Sequence, residues 1–199
     1  MIRALLVDAD GVLQHVPKGF LRDFAALGGG WGFVREVFGE EQRTMTGSED
    51  LVEVLEEVFD RRGLAISPEQ LLALWYRITP DQRMLDLVAR VRQAGAITVL
   101  ATNQQSYRGT WMQQNLPYDD YFDHTFYSFE MGLAKPDPAY FTSIVDHLDI
   151  DADQAVFIDD LATNTAGARK AGLKAITYPP RFPFRLLQLR LRTVGVPGV

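Results

Sequence analysis

Short unbroken apolar runs recur along the chain, and each stops at a polar cluster. Ile2 to Val7 ends in Asp8-Ala9-Asp10-Gly11, Ile97 to Ala101 in Thr102-Asn103-Gln104, and Ala155 to Ile158 in Asp159-Asp160. A fourth, weaker run, Lys174 to Tyr178, ends in Pro179-Pro180. A strand wetted on one face alternates apolar and polar residues, so continuous runs predict strands covered on both faces, as in a parallel sheet. Helical segments separate the runs. They are Met84 to Ala94 ended by Gly95, Pro138 to Leu148, and Asn164 to Ala171 ended by Gly172, with Asn164 read as the cap of its helix. Strand alternating with helix predicts a doubly wound α/β domain with a parallel sheet.

One stretch breaks the alternation. From about Gly19 to Arg83 the periodicity is helical and no strand is evident. Leu51, Val54, Leu55, Val58 and Phe59 recur at helical spacing, and Leu71, Leu72, Leu74 and Trp75 form another apolar face. Ser67-Pro68-Glu69-Gln70 carries the features of a helix start, with Ser67 as N-cap and Gln70 closing a capping box. The expected division is a core of residues 1–16 and 84–199 and a helical insertion of residues 17–83, hinged at Pro17 to Gly19 and Thr79 to Asp81. The segment from Phe182 to Val194 reads as a terminal helix on the core. The acidic residues crowded between Glu36 and Asp60 read as solvated helix faces.

Composition changes this picture only by exclusion. Of 199 residues, 47% are hydrophobic and 23% charged, an ordinary globular balance. The net charge of −6 argues against general attraction to nucleic acid, and no apolar run is long enough to span a bilayer. The absence of cysteine removes disulfides, thiolate nucleophiles and sulfur-ligated metals. The expectation is a soluble, cytoplasmic protein with neither a nucleic-acid nor a membrane partner.

Ligands of open parallel sheets bind beyond the carboxyl ends of the strands. That edge should gather Asp8, Asp10, Asp159 and Asp160 with Thr102 and Asn103. Carboxylates brought together repel one another unless a cation sits among them, and an oxygen-only donor set suits Mg²⁺. Lys135, in Gly132-Leu133-Ala134-Lys135-Pro136, could supply the fixed positive charge that a transferring phosphoryl group needs. His15 reads as solvent-facing, and Trp31, Trp75 and Trp111 as packing. Gly47, between Thr46 and Ser48, marks a candidate substrate loop in the insertion.

In this order, Asp8-Ala9-Asp10-Gly11-Val12, Ala101-Thr102-Asn103, Ala134-Lys135-Pro136 and Phe157-Ile158-Asp159-Asp160 resemble the four motifs of the haloacid dehalogenase superfamily. The insertion after the first motif resembles the helical cap of its subclass I. Leu161 to Thr165, with the segment Ala166 to Gly172, is similar to small-capped members that include sugar phosphatases and the phosphatase domain of bifunctional epoxide hydrolases. The resemblance implies a Rossmann-like core and Mg²⁺-dependent hydrolysis of a small phosphorylated metabolite through an aspartyl-phosphate. Asp8 would be the nucleophile. Asp10 would be the general acid and base, working at a raised pKa. Asp8, Asp10 through its backbone carbonyl, Asp159 and Asp160 would hold the metal, one acid of the Asp159-Asp160 pair directly and the other directly or through a metal-bound water. Thr102 and Lys135, with the amide of Asn103, would hold the phosphoryl oxygens. A phosphomutase would use the same core. A C–halogen hydrolase would need neither Asp10 nor the acid pair. A phosphate-storing receiver domain would place its lysine after its acid pair rather than before it.

Overall fold

The computed structural model describes residues 1–199. Five parallel strands form the central sheet: β1 (Ala4–Val7), β4 (Ile97–Thr102), β5 (His124–Tyr127), β6 (Ala155–Asp159) and β7 (Lys174–Thr177), in the spatial order β5-β4-β1-β6-β7. β1 is central and pairs on both sides, Val7 lying opposite Leu100 of β4 and Ile158 of β6. All four of its residues are buried. Their alternation splits the core into two layers. Leu5 and Val7 pack with Met84, Leu87 and Val88 on one face of the sheet, while Ala4 and Leu6 pack with Tyr140, Phe141 and Ile144 on the other.

Helices cover both layers. α5 (Gln82–Gln93), α6 (Ser106–Asn115), the short α7 (Tyr118–Tyr121) and α8 (Ser128–Met131) follow the strands of one half. α9 (Pro138–His147) and α10 (Ala162–Lys170) follow in the other half, and α11 (Phe184–Val194) closes the chain, burying Leu187 and Leu191 against the first layer. Asp81 caps α5, its side chain accepting from Arg83 N. None of these helices is long and apolar enough to cross a membrane.

Between β1 and α5 the chain builds a separate four-helix unit: α1 (Phe20–Gly28), α2 (Trp31–Glu41), α3 (Leu51–Arg62) and α4 (Pro68–Trp75). Asp50 caps α3 through Val52 N, and Gln70 accepts from Ser67 N at the start of α4. The unit has a core of its own, in which Phe24, Phe33, Val37, Leu55, Leu71 and Trp75 meet. Its two crossings to the sheet domain lie side by side. β2 (Gln14–His15) and β3 (Thr79–Pro80) pair antiparallel, and Asp81 N donates to Leu13 O at 2.7 Å.

β5 was not legible in the sequence. It is an edge strand whose residues are mostly half-buried, so His124-Thr125-Phe126-Tyr127 shows no continuous apolar run. α6 was equally silent. Its buried residues are Arg108, Gly109 and Met112, so the face it turns inward is not an apolar stripe. Asn164 does not cap α10, which begins two residues earlier at Ala162; its side chain turns into the sheet edge instead.

Candidate active site

Parallel pairing brings the carboxyl ends of β1, β4 and β6 level, so the residues that follow them meet at one edge. Asp8 directly follows β1 and is 6% exposed. Lys135 arrives from the loop before α9, and Asn103 fixes it there. The Asn103 amide donates to Lys135 O at 2.8 Å and accepts from Lys135 N at 2.9 Å. The Lys135 ammonium then bridges two acids, donating to Asp8 Oδ1 at 2.6 Å and Asp159 Oδ2 at 2.9 Å, with Ala101 O at 3.0 Å. Burial works against its charge, but the two carboxylates outweigh burial and keep Lys135 protonated.

Asp8, Asp159 and Asp160 offer carboxylate oxygens within 4.8 Å of one another. Burial raises Asp8 well above the ordinary carboxylate range, and Asp159 adds to the rise against the pull of Lys135. Burial and Asp159 likewise raise Asp160. One ammonium therefore does not neutralise the cluster, and a divalent cation bound through oxygen fits it. The two acids of the pair differ in availability. Asp159 is fully buried and already accepts from Lys135, from Leu161 N at 2.8 Å and from Asn164 Nδ2 at 3.1 and 3.0 Å. Asp160 accepts from no other residue and lines the cavity. Gly11 makes room for it. A Cβ there would come within 2.6 Å of Asp160 Oδ2, and the φ of +79° also favours glycine.

Asp10 lies at the junction of this cluster with the helical unit. Arg108 donates to both of its oxygens, from Nη2 at 2.7 Å and from Nη1 at 2.5 Å, and Gln14 and Gln104 add bonds of 3.0 and 2.8 Å. Burial favours the neutral acid, but the side chain keeps 41% of its surface open to the cavity. The Arg108 charge and the four bonds prevail, holding Asp10 at about 2. This corrects the expectation of a raised pKa at Asp10: here it is a carboxylate, with a guanidinium that no sequence motif announced.

The structure gathers Asp8, Asp10, Asn103, Lys135 and Asp160 around a cavity of about 440 Å³. Thr102 stands just behind it. It is 1% exposed and its hydroxyl accepts from Gln104 Nε2 at 3.0 Å. Gly47 lines no part of the cavity; it packs against Phe129, whose carbonyl a Cβ would meet at 2.4 Å. The residues that this part of the chain turns toward the cluster are Gln42 and Met45. His15, about half exposed, lies 3.5 Å from Asp81.

Comparison with known proteins agrees with this geometry. The sequence model of the haloacid dehalogenase-like hydrolases matches residues 2–172. Protein CbbY of Cereibacter sphaeroides is 27% identical over 90% of this chain and 85% of its own length. Bifunctional epoxide hydrolase 2 of Sus scrofa is 24% identical over 88% of this chain, which spans only 36% of that protein. The HAD family enzyme BT-2542 of Bacteroides thetaiotaomicron, solved with magnesium and inorganic phosphate, superposes with a TM-score of 0.80 at 26% identity. That superposition covers 94% of this chain and 99% of BT-2542.

Proposed function

The chain belongs to the haloacid dehalogenase-like hydrolases, and from that premise we propose that it is a Mg²⁺-dependent phosphatase acting on a small phosphomonoester such as a sugar phosphate. The observation that carries this reading is the Lys135 ammonium shared by buried Asp8 and Asp159, beside Asp160 and opposite Asp10. A phosphoryl group brings oxygens that demand positive charge, and a nucleophile there must be an anion held in place. Lys135 meets both needs, since it orients the Asp8 carboxylate and lends charge beside it.

Asp8, Asp160 and the backbone carbonyl of Asp10 would hold the metal, with Asp159 behind them fixing Lys135. Bound there, Mg²⁺ supplies charge for the phosphoryl oxygens and keeps Asp8 ionised. The Asp8 carboxylate attacks phosphorus as the ester oxygen departs, forming an aspartyl-phosphate. Water then attacks that phosphorus, its proton passes to the Asp10 carboxylate, and Asp8 and inorganic phosphate are released. To protonate the departing alcohol in the first step, Asp10 must carry a proton, which its pairing with Arg108 opposes; loosening of that pair belongs to the cycle. Asn103 lines the cavity with its side chain spent on Lys135, leaving its backbone amide for a phosphoryl oxygen, and the Thr102 hydroxyl, accepting from Gln104, keeps its own proton to donate.

The test is release of inorganic phosphate from p-nitrophenyl phosphate and from phosphorylated sugars. Turnover is expected with Mg²⁺, none after chelation, and recovery on adding the ion back; full turnover after exhaustive chelation sinks the metal assignment. Asp8→Asn should remove nearly all activity and Lys135→Ala roughly a hundredfold to a thousandfold. An Asp8→Asn protein that keeps most of its rate overturns the nucleophile.

A further inference from the structure

The inner face of α2 carries Phe33, Val34 and Val37, and the next position on the same stripe is residue 41. An apolar side chain would continue the core. Glu41 stands there instead, 5% exposed, and neither carboxylate oxygen receives a hydrogen bond from the rest of the chain. Its oxygens open onto the space beside the helix rather than being sealed in the core, where Gln105 Nε2 is the one side-chain polar atom left without a partner. The one guanidinium nearby makes no hydrogen bond to Glu41, because Arg108 is committed to Asp10, to Gln104 Oε1 at 2.9 Å and to Trp75 O at 3.1 Å.

Glu41 lines a chamber of about 530 Å³ between the helical cap and the core. Asp10, Gly11, Asn103 and Met45 belong both to this chamber and to the metal-side cavity, so the two are continuous. Phe20, Phe38 and Trp75 give the chamber an apolar wall; Gln42 and Gln104 give it amides. Burial pushes Glu41 up to about 8, Asp10 adding to the rise and Arg108 opposing it. At neutral pH it is thus an uncharged acid that can both donate and accept.

Resting on the phosphatase reading, we propose that Glu41 is a specificity residue that binds a hydroxyl of the substrate's alcohol portion, and that this portion is a neutral polyol with one apolar face. Aromatic side chains cover the C–H face of such a molecule, while Glu41 and the amides take its hydroxyls. A second phosphate or carboxylate finds no free guanidinium in the chamber.

Three proteins and two esters test this: the wild type, Glu41→Gln and Glu41→Leu, each assayed with glucose 6-phosphate and with p-nitrophenyl phosphate, which has no hydroxyl to offer. Glu41→Leu should raise KM for the sugar phosphate roughly tenfold to a hundredfold, the worth of a buried polar contact. For the aryl ester kcat/KM should stay within about threefold, because the chemistry is untouched. Glu41→Gln, which keeps a donor and an acceptor, should recover most of the loss. A parallel fall on both esters marks a merely structural role and overturns the assignment, as does no change on either. A wild type inert toward both esters overturns the phosphatase reading and this inference with it; an active wild type whose variants keep the ester ranking overturns this inference alone.

Discussion

Glu41 and Asp10 face one chamber with opposite affinities for a proton, and their partners explain the difference. Asp10 has a guanidinium and two amides; Glu41 has none of its own. The difference is measurable as stability. Folded Glu41 keeps its proton up to about pH 8, whereas the unfolded chain releases it near 4.5. Between those values unfolding releases a proton, so rising pH must favour the unfolded state. The melting temperature of metal-free protein should fall across that window, by roughly 5 °C or more, and Glu41→Gln should flatten the slope. An unchanged slope in the variant, followed by circular dichroism, would place the titration elsewhere. Asp8, Asp10 and Lys135 were legible in the sequence because strand ends and spacing single them out. Glu41 and Arg108 were not. One hides in an acidic run whose other members do meet solvent, pairing with Arg43, Arg61 and Arg62. The other sits in a polar helix, and only the tertiary fold decides which way that helix faces.

At the scale of elements, the meeting of α10 with the loop that carries Lys135 sets the site's tolerance. Gly167 of α10 lies against Pro136, and a Cβ at 167 would stand 2.0 Å from the Pro136 carbonyl. Backbone cannot step aside as a flexible side chain can. Gly167→Ala should therefore cost about 1–3 kcal/mol, lowering the melting temperature by several degrees. It should also reduce kcat, because Pro136 follows the residue that bridges Asp8 and Asp159. A variant with wild-type stability and rate would show that the loop gives way freely. The strands that build this edge were readable because burial on both faces leaves an unbroken apolar run, as in Ala-Leu-Leu-Val of β1. β2 and β3, two residues each, fall below any periodicity that a sequence can display.

For the whole molecule, the helical unit and the core share the walls of the chamber that adjoins the cluster. Gln42, Met45 and Glu41 line the space beside the cluster, so on the proposed phosphatase reading discrimination between alcohols would fall to them. A chamber of about 530 Å³ holds a small metabolite but no folded peptide. Small esters should accordingly be hydrolysed far faster than phosphopeptides in a steady-state comparison; better turnover of the peptides would mean that the chamber is not the route to the cluster. The run of helices between β1 and α5 was readable from the break in alternation after the first strand, but not the path by which the chain leaves and rejoins the sheet. That path matters mechanically. Because Gln14 pairs with Pro80 and His15 with Thr79, the outgoing and returning strands act as one axle rather than two separate pivots. Swinging about an axle moves nearby parts little and distant parts far. Asp10, bonded to Gln14, is tied to the axle, while Glu41 and Met45 belong to the helical stretch that the axle carries. The reactive carboxylate can thus hold station while the surface that chooses the guest travels.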